Sequence, residues 1–283
     1  MSPAPQSQAQ GSQPSEGARN YVRTARGAVH FHATGSGPLM IFLHDIGSSH
    51  LSFDAIMPRF AQKHRTFAVD LLGHGNSDLQ AEDLSAATQA EALLEVIADL
   101  HLEDFVLVGH SLGGSVALQV AAQVPQKVHK LVLLAAGCYE YRFPLAWNFF
   151  RIAALWTVLG RLGRSRVLER VKRRLYRDPR TAARSPAFAG ARSPAGWAAL
   201  GRAFRQNTSH DTLSELEEIV EAYLEHPSLV IWGSEDPVSP VASARFLFRD
   251  KPNVRFIEIS GASHFPHEDH PDAVADMILE FLK

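Results

Sequence analysis

The chain reads as one α/β domain built on a mostly parallel central sheet flanked by helices, with a helical insertion near its middle. Three observations predict this. Short runs of β-forming residues alternate with segments of helical pattern, the arrangement that produces a parallel sheet. A chain of 283 residues with 46% hydrophobic and 20% charged content can bury one large core without splitting in two. The alternation breaks once, for about seventy residues, too long for a structureless loop in a compact domain.

Residues 1–18 stand apart as a disordered tail, because Met1 to Gly17 are rich in Ser, Gln, Pro and Ala without apolar periodicity. The β-rich runs then fall at Ala28–His32, Leu39–Leu43, Thr66–Val69, Phe105–Val108, Lys130–Leu134, Ser228–Trp232 and Val254–Ile259. Helical patterns separate most of them, at Phe53–Gln62, Glu82–Leu100, Leu112–Val124, Thr212–Leu224, Ala242–Phe248 and Pro271–Leu282. Side chains able to cap stand at two of these starts, Asp211 before Thr212 and His270 before Pro271, which occupies the first helical position. The break lies between the strand ending near Ala135 and the helix beginning near Asp211. It divides the chain into a core of residues 19–138 and 210–283 and a helical cap of residues 139–209.

Composition narrows the function classes. The single cysteine, Cys138, excludes an internal disulfide, and no basic segment followed by an apolar one opens the chain, so a reducing cytosol is the expected location. A formal net charge of -2 points away from nucleic acid. That total conceals a segregation: fourteen arginines and one lysine lie between Arg142 and Arg205 against only Glu169 and Asp178, so a basic element sits on an acidic body. The aromatics Phe143, Trp147, Phe149, Phe150 and Trp156 accompany these cations. Arg151 and the length of the apolar stretch argue against a membrane span. Two readings stay open for the insertion: a solvated helix face, or peripheral attraction to an anionic substrate or the headgroups of an anionic membrane.

Chemistry enters at Gly109-His110-Ser111-Leu112-Gly113, between the run Phe105–Val108 and the helical stretch that ends at Val124. A G-x-S-x-G segment between strand and helix forces a turn so tight that only glycine fits beside the serine, whose oxygen is lifted clear of the backbone. The glycines do not fit G-x-G-x-x-G, and no lysine follows them as in a phosphate-binding loop. A serine hydroxyl needs a base, and the base needs a third group to orient it. Asp236 follows the run ending at Trp232, and His264 follows the run ending at Ile259. In a parallel sheet both loops open at the same edge as Ser111, where open α/β sheets place ligands.

The order Ser111, Asp236, His264 resembles that of the α/β-hydrolase superfamily, of the serine esterase and lipase type with a helical cap. The matching segments are His44-Asp45-Ile46-Gly47, Asp70-Leu71-Leu72-Gly73-His74-Gly75-Asn76-Ser77, Gly109-His110-Ser111-Leu112-Gly113-Gly114, Gly233-Ser234-Glu235-Asp236 and Gly261-Ala262-Ser263-His264-Phe265-Pro266. The resemblance spans about Tyr21 to Lys283. It implies that Ser111 attacks a carbonyl, that His264 accepts and returns the proton, and that Asp236 orients His264. It also implies an oxyanion hole made by the backbone N–H groups of Leu112 and Ile46, each donor worth roughly 3 kcal/mol. One departure falls here: the family carries Gly after the loop histidine, and this chain carries Asp45. An ionised Asp45 is unfavourable beside a developing oxyanion unless its side chain points away.

Other residues compete for these roles. Glu235 neighbours Asp236, whereas the alternative acid after the preceding core strand is absent, since Leu134-Ala135-Ala136-Gly137-Cys138 holds no carboxylate. His267, His270, Glu268 and Asp269 could be mistaken for a metal cluster and are expected at the solvated start of the last helix. His44 and His74 are expected to shape their loops, His110 to flank the nucleophile, and Cys138 to be a small buried residue. The resulting expectation is hydrolysis of a small-molecule ester with a largely apolar acyl group through an acyl-enzyme, with no metal or organic cofactor. The alternatives are C–C bond hydrolysis of ring-cleavage products, a perhydrolase or acyltransferase on the same three residues, and a non-catalytic binding scaffold.

Overall fold

The computed structural model describes residues 20–137 and 153–283. The N-terminal tail, Cys138, the aromatics Phe143 to Phe150 and Arg151 lie outside the described residues.

The sheet has eight strands: β1 (Tyr21–Thr24), β2 (Gly27–Thr34), β3 (Leu39–Leu43), β4 (Arg65–Val69), β5 (Phe105–His110), β6 (Val128–Leu134), β7 (Ser228–Gly233) and β8 (Val254–Ile259). Their spatial order is β1-β2-β4-β3-β5-β6-β7-β8. The pairs β1–β2 and β2–β4 are antiparallel and every later pair is parallel. β3 lies between β4 and β5, so the order reverses there and opens a crevice at the C-terminal ends of the central strands. Side chains alternate across the sheet: Ile41 and Leu43 enter the core on one face, Met40 and Phe42 that on the other. Both faces are therefore covered, as parallel sheets require.

The edge hairpin was not evident in the sequence. β1 is four residues long with alternate residues exposed, too short and polar to register as a run, and Gly27 turns the chain at φ 143°. The first expected helix is also shorter than its pattern. His50–Phe53 forms a 3-10 turn and α1 spans only Met57–Phe60, where Phe53, Ile56, Met57 and Phe60 pack under the sheet. The second, α2 (Ala86–Asp99), starts four residues later than the pattern because Ser85 caps it by accepting from Thr88 N, while Asp83 holds the Ser85 amide and the Thr88 hydroxyl. α3 (Leu112–Gln123) follows β5 as expected.

Between β6 and β7 come α4 (Ala153–Leu175), α5 (Pro179–Arg184), α6 (Pro194–Asn207) and α7 (His210–Tyr223). Gly163, at φ 121° and ψ 86°, breaks α4 into two segments. α8 (Val241–Phe248), the four-residue α9 (Pro266–Asp269) and α10 (Pro271–Leu282) complete the chain. The helices α4 to α6 form a third apolar cluster with Val238 and Phe265, which lie in the loops after β7 and β8. The insertion therefore packs on the C-terminal edge of the sheet.

Its centre is an indole pair. Trp156 and Trp197 stack with centroids 4.2 Å apart, and each ring N–H donates to the other's backbone carbonyl, at 2.7 and 3.0 Å. A Cβ on Gly201 would come within 2.4 Å of the Trp156 ring nitrogen, so the close approach depends on that glycine.

Candidate active site

Ser111 sits between β5 and α3 at φ 49° and ψ -113°, a conformation that L residues adopt only at a cost of about 1–3 kcal/mol. The neighbouring glycines explain how the turn closes. A Cβ on Gly113 would lie 2.0 Å from the Leu43 carbonyl oxygen, and one on Gly109 would lie 2.4 Å from that of Gly113. Leu112 is the first residue of α3, so its amide has no acceptor within the helix.

Asp236 follows β7 and His264 follows β8, and the fold brings both to Ser111. The Ser111 hydroxyl lies 3.1 Å from His264 Nε2, and His264 Nδ1 donates to Asp236 Oδ2 at 2.8 Å. Asp236 Oδ1 accepts from the amides of Val238 and Ser239, at 2.8 and 3.0 Å, which fixes the carboxylate. Its neighbour Glu235 instead pairs with Arg177 at the surface. Burial disfavours a charged His264, but Asp236, by charge and hydrogen bond, and Asp45, by charge, overcome it and raise the imidazole above its ordinary value of 6.5. Such an array can take a proton from the serine and hold it on an oriented imidazole.

Ile46, expected as the second oxyanion donor, has its amide taken. It donates to Asp45 Oδ1 at 2.5 Å, and Asp45 Oδ2 stands 3.8 Å from His264 Nε2. The Asp45 side chain thus points at the site rather than away from it. The loop beneath is set by two histidines. His44 donates through Nδ1 to the Asp45 carbonyl and accepts the Leu71 amide at Nε2, and His74 Nδ1 donates to the Leu72 carbonyl. Burial, then the proximity of His44, pushes His74 down to about 4.

His110 donates from Nε2 to the His264 carbonyl at 2.8 Å, and burial and the neighbouring His264 push it well below the ordinary imidazole value. It therefore supports the His264 backbone rather than exchanging protons with Ser111. The segment after His264 corrects the expectation of a solvated helix start. His267 is fully buried, edge-on to His110 with ring centroids 4.6 Å apart, and bonds Ser52 Oγ at 2.9 Å. Glu268 accepts from Ser52 Oγ at 2.7 Å and from the Tyr176 hydroxyl at 2.9 Å. Tyr176, just past α4, stacks on Phe265 with centroids 4.4 Å apart, so one network ties the insertion to the residue after His264. Asp269 holds the approach to His264 by accepting from the Ser263 amide and hydroxyl, at 2.7 and 2.5 Å. The roles of His267 and Glu268 carry no local sequence signal, because their partners Ser52 and Tyr176 come from distant elements.

Ser111, His264, Asp45 and Ile46 share a cavity of about 670 Å³, part of it open to solvent. Its remaining wall is almost entirely apolar, with Trp156, Leu168, Phe188 and Leu200 from the insertion. Among the described residues two groups bring three metal-ligand types within 4.8 Å: Asp45 with His110 and His264, and Asp70 with His30 and His50. In the first, His264 is committed to Ser111 and Asp236. In the second, Asp70 already accepts from His30 Nδ1, His50 Nδ1 and the amides of His50 and Asn76. Among the described residues no helix is long and apolar enough to cross a membrane.

A sequence model of the Alpha/beta hydrolase family matches residues 40–277. An uncharacterized protein of Mycobacterium tuberculosis is 30% identical over 278 residues, covering 89% of this chain and 77% of that one. A pimeloyl-[acyl-carrier protein] methyl ester esterase of Nitrosomonas europaea is 27% identical over 87% of this chain and 96% of its own. Among solved structures, an alpha/beta hydrolase fold protein from Burkholderia ambifaria superposes with a TM-score of 0.83 at 21% identity, covering 92% of this chain and 97% of that one.

Proposed function

This chain belongs to the alpha/beta hydrolase family, and from that premise we propose that it hydrolyses a carboxylic ester of a largely apolar acyl group through an acyl-enzyme on Ser111. The observation that carries the proposal is the Ser111–His264–Asp236 hydrogen-bond series opening on an apolar cavity. The acyl group lies against the walls given by the insertion, which acts as a cap. Ser111 Oγ attacks the carbonyl carbon as its proton passes to His264 Nε2, and Asp236 holds the ring and stabilises the imidazolium. The Leu112 amide at the start of α3 donates to the developing oxyanion, a contribution worth about 3 kcal/mol. His264 then gives the proton to the leaving alkoxide, and a water repeats the sequence on the acyl-enzyme.

Arg164, Arg166 and Arg192 line a second groove that shares Trp156 and Trp197 with the cavity. That adjacency supports attraction of an anionic surface or substrate group to the cap. Binding to anionic liposomes at low salt tests the surface reading, which absence of binding would remove. For the chemistry, p-nitrophenyl esters of increasing acyl length are the direct assay. Turnover is expected in the native chain and should vanish in Ser111→Ala; activity retained by that variant would show that the proposal is wrong.

A further inference from the structure

The Asp45 carboxylate occupies a place where an acyl-transfer site needs positive potential. Its two oxygens are in different situations. Oδ1 holds the Ile46 amide, whereas Oδ2 receives no hydrogen bond from the described residues and stands 3.8 Å from His264 Nε2, beyond hydrogen-bond range. Asp45 is nearly buried, with 6% of its surface accessible, and it faces the same cavity as Ser111 and His264. Among the described residues the walls offer it no hydrogen-bond donor. They are apolar apart from the reacting groups and Thr208, whose hydroxyl is spent on the Phe204 carbonyl at 2.7 Å.

A plain acyl chain filling this cavity would strip water from Oδ2 and replace it with carbon, which leaves a buried carboxylate without a donor. It would also leave the Ile46 amide unavailable and a negative charge beside the carbonyl oxygen as charge develops there. A donor that the ligand itself brings to Oδ2 removes the first penalty and offsets the negative charge beside the carbonyl oxygen. We propose that Asp45 is a specificity-determining residue: its carboxylate takes, at Oδ2, a hydroxyl or ammonium group carried one or two carbons from the scissile carbonyl.

The inference rests on Ser111 acting as the nucleophile, and it names the acyl class that this nucleophile accepts. Sites that hydrogen-bond a substrate hydroxyl reject the analogue lacking it, because the buried group is then left unpaired. Removing the carboxylate should cancel the discrimination by speeding the plain ester, since the Ile46 amide becomes free.

The experiment compares kcat/KM for p-nitrophenyl 3-hydroxybutyrate, p-nitrophenyl 3-aminobutyrate and p-nitrophenyl butyrate in the native chain, Asp45→Gly and Asp45→Asn. Each preparation is titrated with a p-nitrophenyl phosphonate that releases one nitrophenol per reactive serine. The native chain is expected to prefer at least one donor-bearing ester by about tenfold or more, and Asp45→Gly to bring the three within about twofold by gaining on butyrate. Asp45→Asn, which keeps the shape but replaces an acceptor with a donor, should also lose the preference. Full titration with no preference in the native chain overturns the inference alone, as does a preference that survives in Asp45→Gly or an equal loss on all three esters. Failure of the native chain to react with the phosphonate would overturn the serine reading and this inference with it.

Discussion

Two buried carboxylates in this protein hold histidines, Asp236 beside His264 and Asp70 beside His30 and His50, and they differ in how many imidazoles converge on them. His264 donates Nδ1 to Asp236 and presents Nε2 to the Ser111 hydroxyl at the cavity wall. At Asp70, both imidazoles turn Nδ1 to the same carboxylate, which also takes the amides of His50 and Asn76. Burial opposes the charge on Asp70, yet the hydrogen bond from His50 and the two backbone amides hold it below the usual carboxylate range. A buried carboxylate–imidazole pair is thus a structural tie when its bonds close on the protein, and a candidate proton carrier when one nitrogen faces a reactive atom.

The comparison can be broken most forcefully at Asp236. Asp236→Asn should lower kcat by about 10⁴-fold through the wrong imidazole tautomer, with a small change in melting temperature. A loss of stability without a loss of kcat would place Asp236 in the structural class. Asp70→Ala should do the opposite, costing about 3 kcal/mol in urea unfolding because several buried donors lose one acceptor, while kcat per folded chain stays within a few-fold. His50→Ala, at a half-buried position, should cost only about 1 kcal/mol by the same measurement.

The pH profiles give the smallest and most specific separation. The base must be neutral to act, so kcat/KM should rise with pH through a midpoint above 6.5, because Asp236 and Asp45 raise His264 against the effect of burial and the adjacent His110 stays neutral. Asp45→Asn should move that midpoint down; an unmoved midpoint would disconnect Asp45 from the base. Asp70 has the reverse sign. Its folded value is depressed, so its contribution to stability is full above the unfolded carboxylate value of about 3.9 and disappears as pH falls below it. Acid unfolding of the native chain should therefore be steeper than that of Asp70→Ala.

The sequence showed the side of this contrast that faces Ser111 better than the structural side. Ser111, Asp236 and His264 each follow a β-forming run in a chain whose alternation implies a parallel sheet, and strand direction alone then places the three loops at one edge. Asp45 was visible as a departure in its loop, but the direction of its side chain depends on a rotamer that no pattern encodes. The burial of His267 and Glu268 was hidden for another reason. Their partners Ser52 and Tyr176 lie 215 and 92 residues away, and a Pro-His-Glu-Asp segment read locally is polar. β1 and the broken first helix failed on length, since four residues carry too little periodicity to be read.

The central claim is that Ser111 is the nucleophile, and the most direct measurement is peptide mass spectrometry after reaction with a fluorophosphonate. One phosphonyl group per chain is expected on the peptide containing Ser111, with no adduct in Ser111→Ala and sharply slower labelling in His264→Ala. An adduct on another residue, or none on the folded native chain, would contradict the account.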